Sequence, residues 1–183
     1  MRRLVKMLLV LVFGLALVAP AATAAQAAPF CGIHWGSSEK RSGSVTGEEY
    51  LTNVRAGRHA CFDRLVLDVR GGRVSGYDVR YVKNVVNDPR GDVVPLRGGA
   101  KLQVTADVHA NTPSGHASYV PADKQHLVRV SGFRTFRQVA WAGSFEGVTT
   151  VGLGVRARLP FRVFVLNGPH HTSMLVVDVA HRW

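Results

Sequence analysis

Acidic residues, lysine and cysteine are all scarce in this chain. Its 183 residues include 12 Asp+Glu against 23 Lys+Arg, for a net charge of +11. Five of the basic residues are lysine and the rest arginine. Cys31 and Cys61 are the only cysteines and are not spaced as a Cys-x-x-Cys pair, which argues against a dithiol redox centre. Familiar catalytic signatures are missing too. There is no His-Glu-x-x-His and no glycine-rich phosphate loop opening a helix. In Gly143-Ser144-Phe145-Glu146-Gly147 the serine sits beside the first glycine, which reads as a hairpin turn and not a nucleophile elbow. The eight histidines are scattered, and none pairs at a metal-binding spacing. Adjacent His170 and His171 fall in a Gly-Pro turn that reads as a solvated loop. No cofactor or metal is expected.

Long apolar runs are also lacking beyond the first twenty residues. Arg2, Arg3 and Lys6 precede an uninterrupted apolar stretch, Met7–Ala19, and then a small-residue stretch, Pro20–Ala28. That order is the pattern of a cleaved secretory signal peptide, and the run is shorter than the ~20 residues a membrane span needs. The expected cut follows Ala27, with Ala24 as the second choice, so residues 1–27 are read as leader. The remainder holds 20 basic and 12 acidic residues, a charge of +8. The expected location is outside the cell, free or wall-associated, and an intracellular role is disfavoured. In that oxidising setting Cys31 and Cys61 read as a disulfide that staples an N-terminal arm, residues 28–52 with Trp35, onto a domain spanning 53–183. A reactive thiol pair is the other reading.

Short β-rich runs separated by Gly, Pro, Asn and Asp fill the rest of the chain. Strands are predicted near Arg64–Val69, Gly76–Val82, Ala100–Val108, Leu127–Val130, Phe136–Ala142, Thr149–Val155, Phe161–Leu166 and Met174–His181. Turn chemistry at Gly71-Gly72, Asn87–Gly91, Arg97–Gly99, Asn111–Gly115 and Asn167–Pro169 divides them. The spacing predicts an all-β, two-sheet β-sandwich. The last strand, apolar on both faces except for Asp178, is expected at the centre of a sheet. Leu65-Val66-Leu67-Asp68-Val69 echoes Leu175-Val176-Val177-Asp178-Val179, which suggests equivalent places in two packed sheets or merely convergent composition. Trp141, Phe161 and Phe164 are expected in the core.

Arginine is the positive signal, because its planar fork suits carboxylate and phosphate. Arg134 and Arg137 flank Phe136, and Arg156 and Arg158 sit two apart at a strand end, sharing a face if the strand continues. With Trp35 they are the candidate contacts for an acidic polymer. The alternative for each is an ordinary solvent-facing residue that protects a sheet edge. Nucleic acid is disfavoured as a partner by the expected export and by the lack of a basic recognition helix.

Several segments read together as a pattern: Gly57–Asp68, Gly76–Val82, Arg137–Thr150, Val151–Arg156, Pro160–Phe164 and Leu175–Ala180. This resembles the AMIN-like domain of exported actinobacterial proteins, over roughly Asn53 to His181. The resemblance implies a β-sandwich related to modules that target envelope proteins to peptidoglycan or septal sites, and it brings no catalytic residues. Phe62-Asp63-Arg64 reads as structural, with Asp63 capping a turn or pairing Arg64. The function expected is a secreted, non-catalytic module that binds peptidoglycan or an associated anionic glycopolymer. The competing readings are a protein-interaction module for another exported protein, and an envelope hydrolase with a site assembled from distant strands.

Overall fold

A computed structural model describes residues 29–43 and 47–183. The expected leader, with its apolar stretch, lies outside the described residues. Eleven strands follow in order: β1 (Lys40–Ser42), β2 (Tyr50–Arg58), β3 (Phe62–Arg70), β4 (Tyr77–Val82), β5 (Val85–Val86), β6 (Val93–Val94), β7 (Ala100–Ala106), β8 (Phe136–Phe145), β9 (Val148–Val155), β10 (Phe161–Asn167) and β11 (Thr172–Ala180). They form a five-stranded sheet, β1-β4-β7-β9-β8, a four-stranded sheet, β10-β11-β3-β2, and a small β5-β6 ribbon. All strand pairings are antiparallel. The fold is the expected all-β sandwich.

Alternation along the strands fills the space between the sheets. Leu51, Leu65, Leu67, Leu175 and Val177 of one sheet meet Val79, Leu102, Val104, Val151 and Leu153 of the other, all fully buried. Burying each such side chain contributes about 1.5–3 kcal/mol. The five-stranded sheet is apolar on part of its outer face as well, where β5 and β6 cover Ala140 and Ala142 of β8. Glycine makes that cover close. A Cβ on Gly154 of β9 would lie 2.0 Å from the Arg97 carbonyl oxygen, so only glycine lets residues 95–98 rest on the sheet.

Several expectations need correction. The two echoing strands are not in different sheets: β3 and β11 are direct neighbours, with Leu67 opposite Leu175 and Val66 opposite Val176. Strand β11 is indeed internal. Leu127–Val130 is not a strand, but an irregular segment lying along the β8 edge, where the Leu127 amide donates to the Val139 carbonyl at 2.9 Å. Phe164 leaves the core for the outer face because it alternates with Phe161 and Val163. Strand β2 begins at Tyr50, within the segment read as arm. The Cys31–Cys61 disulfide is formed, closing a 30-residue separation, and the arm pairs again at Gly36, whose carbonyl accepts from the Phe161 amide.

Candidate functional site

Strand register gathers one set of chain ends at one end of the sandwich. In the five-stranded sheet, Phe136 and Ala100 both stand opposite Val155, and Val82 stands opposite Lys101. In the other sheet, Phe62 pairs with Ala180, Phe161 with Val179 and Arg58 with Asp63. The two sheets are tied together here by a buried carboxylate. Asp63 Oδ2 accepts from the Thr135 and Phe136 amides, and His181 Nε2 lies 3.2 Å from Oδ1. Asp63 is structural, as expected, but not through the Arg64 pairing, one form of that expectation. Arg64 bonds Asp178 instead, and the role of Asp63 is to hold the start of β8 and the end of β11 together. With both carboxylate oxygens occupied and the side chain fully buried, Asp63 is a strut.

Basic side chains collect at this end. Arg41, Arg55, Arg64, Arg80, Arg90 and Arg162 are ion-paired to carboxylates, Arg64 and Arg162 sharing Asp178 close to this end. Among the described residues ten arginines have no carboxylate partner: Arg58, Arg97, Arg129, Arg134, Arg137, Arg156, Arg158 and Arg182 belong to the strand ends and loops just described, and Arg70 and Arg73 lie at the opposite end. Lys83 and Lys101 join the first eight. Of the acids near this end, Asp63 and Asp178 are buried, and exposed Asp123 is bonded to His126. The opposite end carries Glu48 and Glu49 before β2, Asp107 after β7 and Glu146 in the β8–β9 turn, against Arg70 and Arg73. Burial, and then the nearby Asp78 charge, push the Asp107 carboxyl above its usual range. The molecule is electrostatically polar along its strands.

A groove of about 560 Å³ opens within the basic end, lined by residues 128–133 and by Arg97, His126, Phe136 and Arg137. It contains no carboxylate. Gln138 shapes it. This nearly buried amide donates to the Pro95 and Gln125 carbonyls and accepts from the Arg97 amide, fixing both walls. Arg97 and Arg129 project into solvent, while Arg137 folds back on the carbonyls of Phe133, Arg134 and Phe136. Arg58 stands beside the groove: a Cβ on Gly132 would meet its guanidinium at 3.5 Å. His126 bonds Asp123 at 2.9 Å, and this bond holds the Asp123 carboxyl below its usual range. Exposed guanidiniums with no competing carboxylate form bidentate hydrogen bonds to carboxylate or phosphate oxygens.

The sequence-predicted residues fall in three places. Arg137 lines the groove, with exposed Arg134 adjacent to it in the chain. Arg156 and Arg158 lie past the end of β9, so strand alternation no longer relates them. Arg156 donates to the His181 carbonyl, and Arg158 stacks on Tyr81 at 4.8 Å in a second hollow with Lys83 and Lys101. Trp35 is half-buried on the flank of the four-stranded sheet. Its ring packs against Phe62 at 5.9 Å and under the Arg162 guanidinium at 5.5 Å. Arg97, Arg129, His126 and Gln138 were not predicted. Only Gln138 carried a signal, as a lone amide inside an apolar strand.

No curated protein and no solved structure gave a significant match to this sequence. A family model described as AMIN-like domain matches residues 49–181, from just before β2 to the histidine that pairs Asp63. The chain belongs to the AMIN-like domain family.

Proposed function

We propose that this protein is a non-catalytic cell-envelope module whose basic end holds an anionic glycopolymer, peptidoglycan or a polymer attached to it. The observation that carries the reading is the sorting of arginines. Of the ten described arginines without a carboxylate partner, eight are gathered at one end around a groove whose lining holds no carboxylate, and only Arg70 and Arg73 lie at the other end. Concentrated charge of one sign raises the local concentration of a polyanion and speeds its capture. Family membership supports an envelope-targeting role, and the disulfide supports an oxidising location. The leader at residues 1–27 and the tethered arm at 28–52 belong to the same proposal. Trp35 is not given a sugar-stacking role, because Phe62 and Arg162 already occupy its ring.

Cosedimentation with purified wall sacculi tests the proposal. The protein is expected in the pellet at low salt and in the supernatant at 1 M salt, where the screening length falls to about 3 Å. Arg97→Ser combined with Arg129→Ser is expected to lower the bound fraction about tenfold without changing the unfolding midpoint, since both side chains are exposed. Equal recovery with and without sacculi removes the wall-binding claim. Binding that ignores salt, or that survives the double substitution, removes the arginine mechanism.

A further inference from the structure

We propose that the outer edge of β10 is a self-pairing edge, through which two copies of this chain join in an antiparallel, two-fold arrangement. The proposal is independent of what the basic end binds.

The argument begins with how the other sheet edges are closed. The β8 edge is covered by the segment that precedes it: the Trp141 amide donates to the Lys124 carbonyl, and the Leu127 amide donates to the Val139 carbonyl. The β2 edge is covered at its start, where His109 exchanges backbone hydrogen bonds with Glu49 and Leu51, and farther on it carries a bulge between Leu51 and Asn53 and the exposed Arg55 and Arg58. β1 is three residues long and begins Lys-Arg. Short, charged or covered edges are the usual protections against pairing with another chain.

β10 is covered only at its first residue and carries one charge, Arg162, which Asp178 pairs. It is terminal in its sheet, reads Phe-Arg-Val-Phe-Val-Leu-Asn, and contains no proline or lysine. The Pro160 carbonyl accepts from the Ala180 amide of β11, and the Phe161 amide turns the other way, to Gly36. Because backbone groups alternate sides along a strand, the amides and carbonyls of Val163 and Val165 also point away from β11. Among the described residues they have no backbone partner. Both valine side chains are only half-buried although they point toward the core, and Leu166 on the outer face is 41% exposed.

A second copy completes this edge better than an unrelated strand would, for two reasons visible in the sequence and the charge. A two-fold axis through Phe164 places Val163 of one copy opposite Val165 of the other, so their outward groups satisfy each other reciprocally. It also places Arg162 opposite Leu166 of the second copy, so no arginine faces an arginine. In addition, antiparallel pairing reverses one sandwich end for end. Each basic end then lies beside the end of its neighbour that carries Glu48, Glu49, Asp107 and Glu146 against Arg70 and Arg73, and the two basic ends lie far apart. Each β10 edge is used once, so the assembly stops at two.

Sedimentation and engineered cross-linking test this. The purified protein is expected to reach twice its monomer mass as concentration rises. Leu166→Lys and, separately, Val165→Pro, which removes an outward amide and no bond within the sheet, are expected to hold it at the monomer mass with unchanged circular dichroism. Residues facing each other across a non-hydrogen-bonded antiparallel site are about 4.5 Å apart at Cα, within disulfide reach. Phe164→Cys is therefore expected to form an intermolecular disulfide under mild oxidation, and Leu166→Cys is not. A wild-type protein that stays monomeric across the range overturns the proposal. So does a mass beyond two, or cross-linking equal at positions 164 and 166.

Discussion

His181 Nε2 stands 3.2 Å from Asp63 Oδ1 inside the basic end of the sandwich, joining the last strand of the chain to the third. The other oxygen of the same carboxylate takes the amides of Thr135 and Phe136. Asp63→Ala therefore strands three buried donors at once. An unsatisfied buried donor costs about 1–3 kcal/mol, so a loss of at least about 3 kcal/mol is expected in urea unfolding. Asp63→Asn, which keeps one acceptor, is expected to lose less.

Gln138 predicts a separation between stability and groove shape. Gln138→Leu leaves the Pro95 and Gln125 carbonyls and the Arg97 amide without their shared partner. The expected cost is about 2 kcal/mol. Faster amide exchange is expected at Arg97 and along residues 124–127, with the β3–β11 pairing still protected. Hydrogen exchange read by mass spectrometry checks this. Uniform deprotection across both sheets would show that Gln138 supports the whole fold and not the groove walls.

Reduction of Cys31–Cys61 opens a loop of about 30 residues, worth about 3–4 kcal/mol in the chain-entropy account. The arm depends on the bridge more than the sandwich does, since Gly36 and β1 are its remaining backbone pairings to the sheets. Cys31→Ser with Cys61→Ser is expected to give early proteolytic cleavage between residues 29 and 43. It is also expected to shift Trp35 fluorescence, as the ring leaves Phe62.

Tyr81 supplies a pH dependence. Its hydroxyl donates to the Leu159 carbonyl at 2.7 Å and accepts from the Leu159 amide at 2.9 Å. Burial pushes the phenol up to about 12, ahead of the opposing pull from the Leu159 hydrogen bond and the Arg158 charge. Tyrosines in the unfolded chain titrate near 10, so the folded state holds this proton more tightly. The resulting stability is fully present below about pH 10 and is lost as pH rises through about 12. Tyr81→Phe is expected to lower stability at neutral pH by about 1–2 kcal/mol and to flatten the alkaline decline. Denaturation series at pH 8, 10 and 11.5 separate the two effects.

Seven of the eight strands read from the sequence exist, because alternation and turn chemistry are local and leave a direct trace. The failures share a cause. Leu127–Val130 has strand composition, but its partner is an edge, so a few hydrogen bonds replace a ladder. Strand β2, Tyr-Leu-Thr-Asn-Val-Arg-Ala-Gly-Arg, hides behind polar and glycine positions and is held by β3. Which sheet a strand joins was not legible either: Leu67 and Leu175 look alike because they share one environment, a fact only the pairing reveals. For the site, the sequence indicated arginine but not the sorting of arginines into paired and unpaired. That sorting depends on which carboxylates the fold brings near, as Asp178 is brought to Arg64 and Arg162.

The central ladder of the four-stranded sheet unites residues 62–70 with residues 172–180, across almost the entire described chain. A growing polypeptide cannot close that ladder until residues 172–180 are delivered. The four-stranded sheet is therefore completed late, and its long-range pairing slows folding. A version of this protein missing its last dozen residues would have no partial sandwich to fall back on, because the missing piece is the middle of a sheet and not its margin.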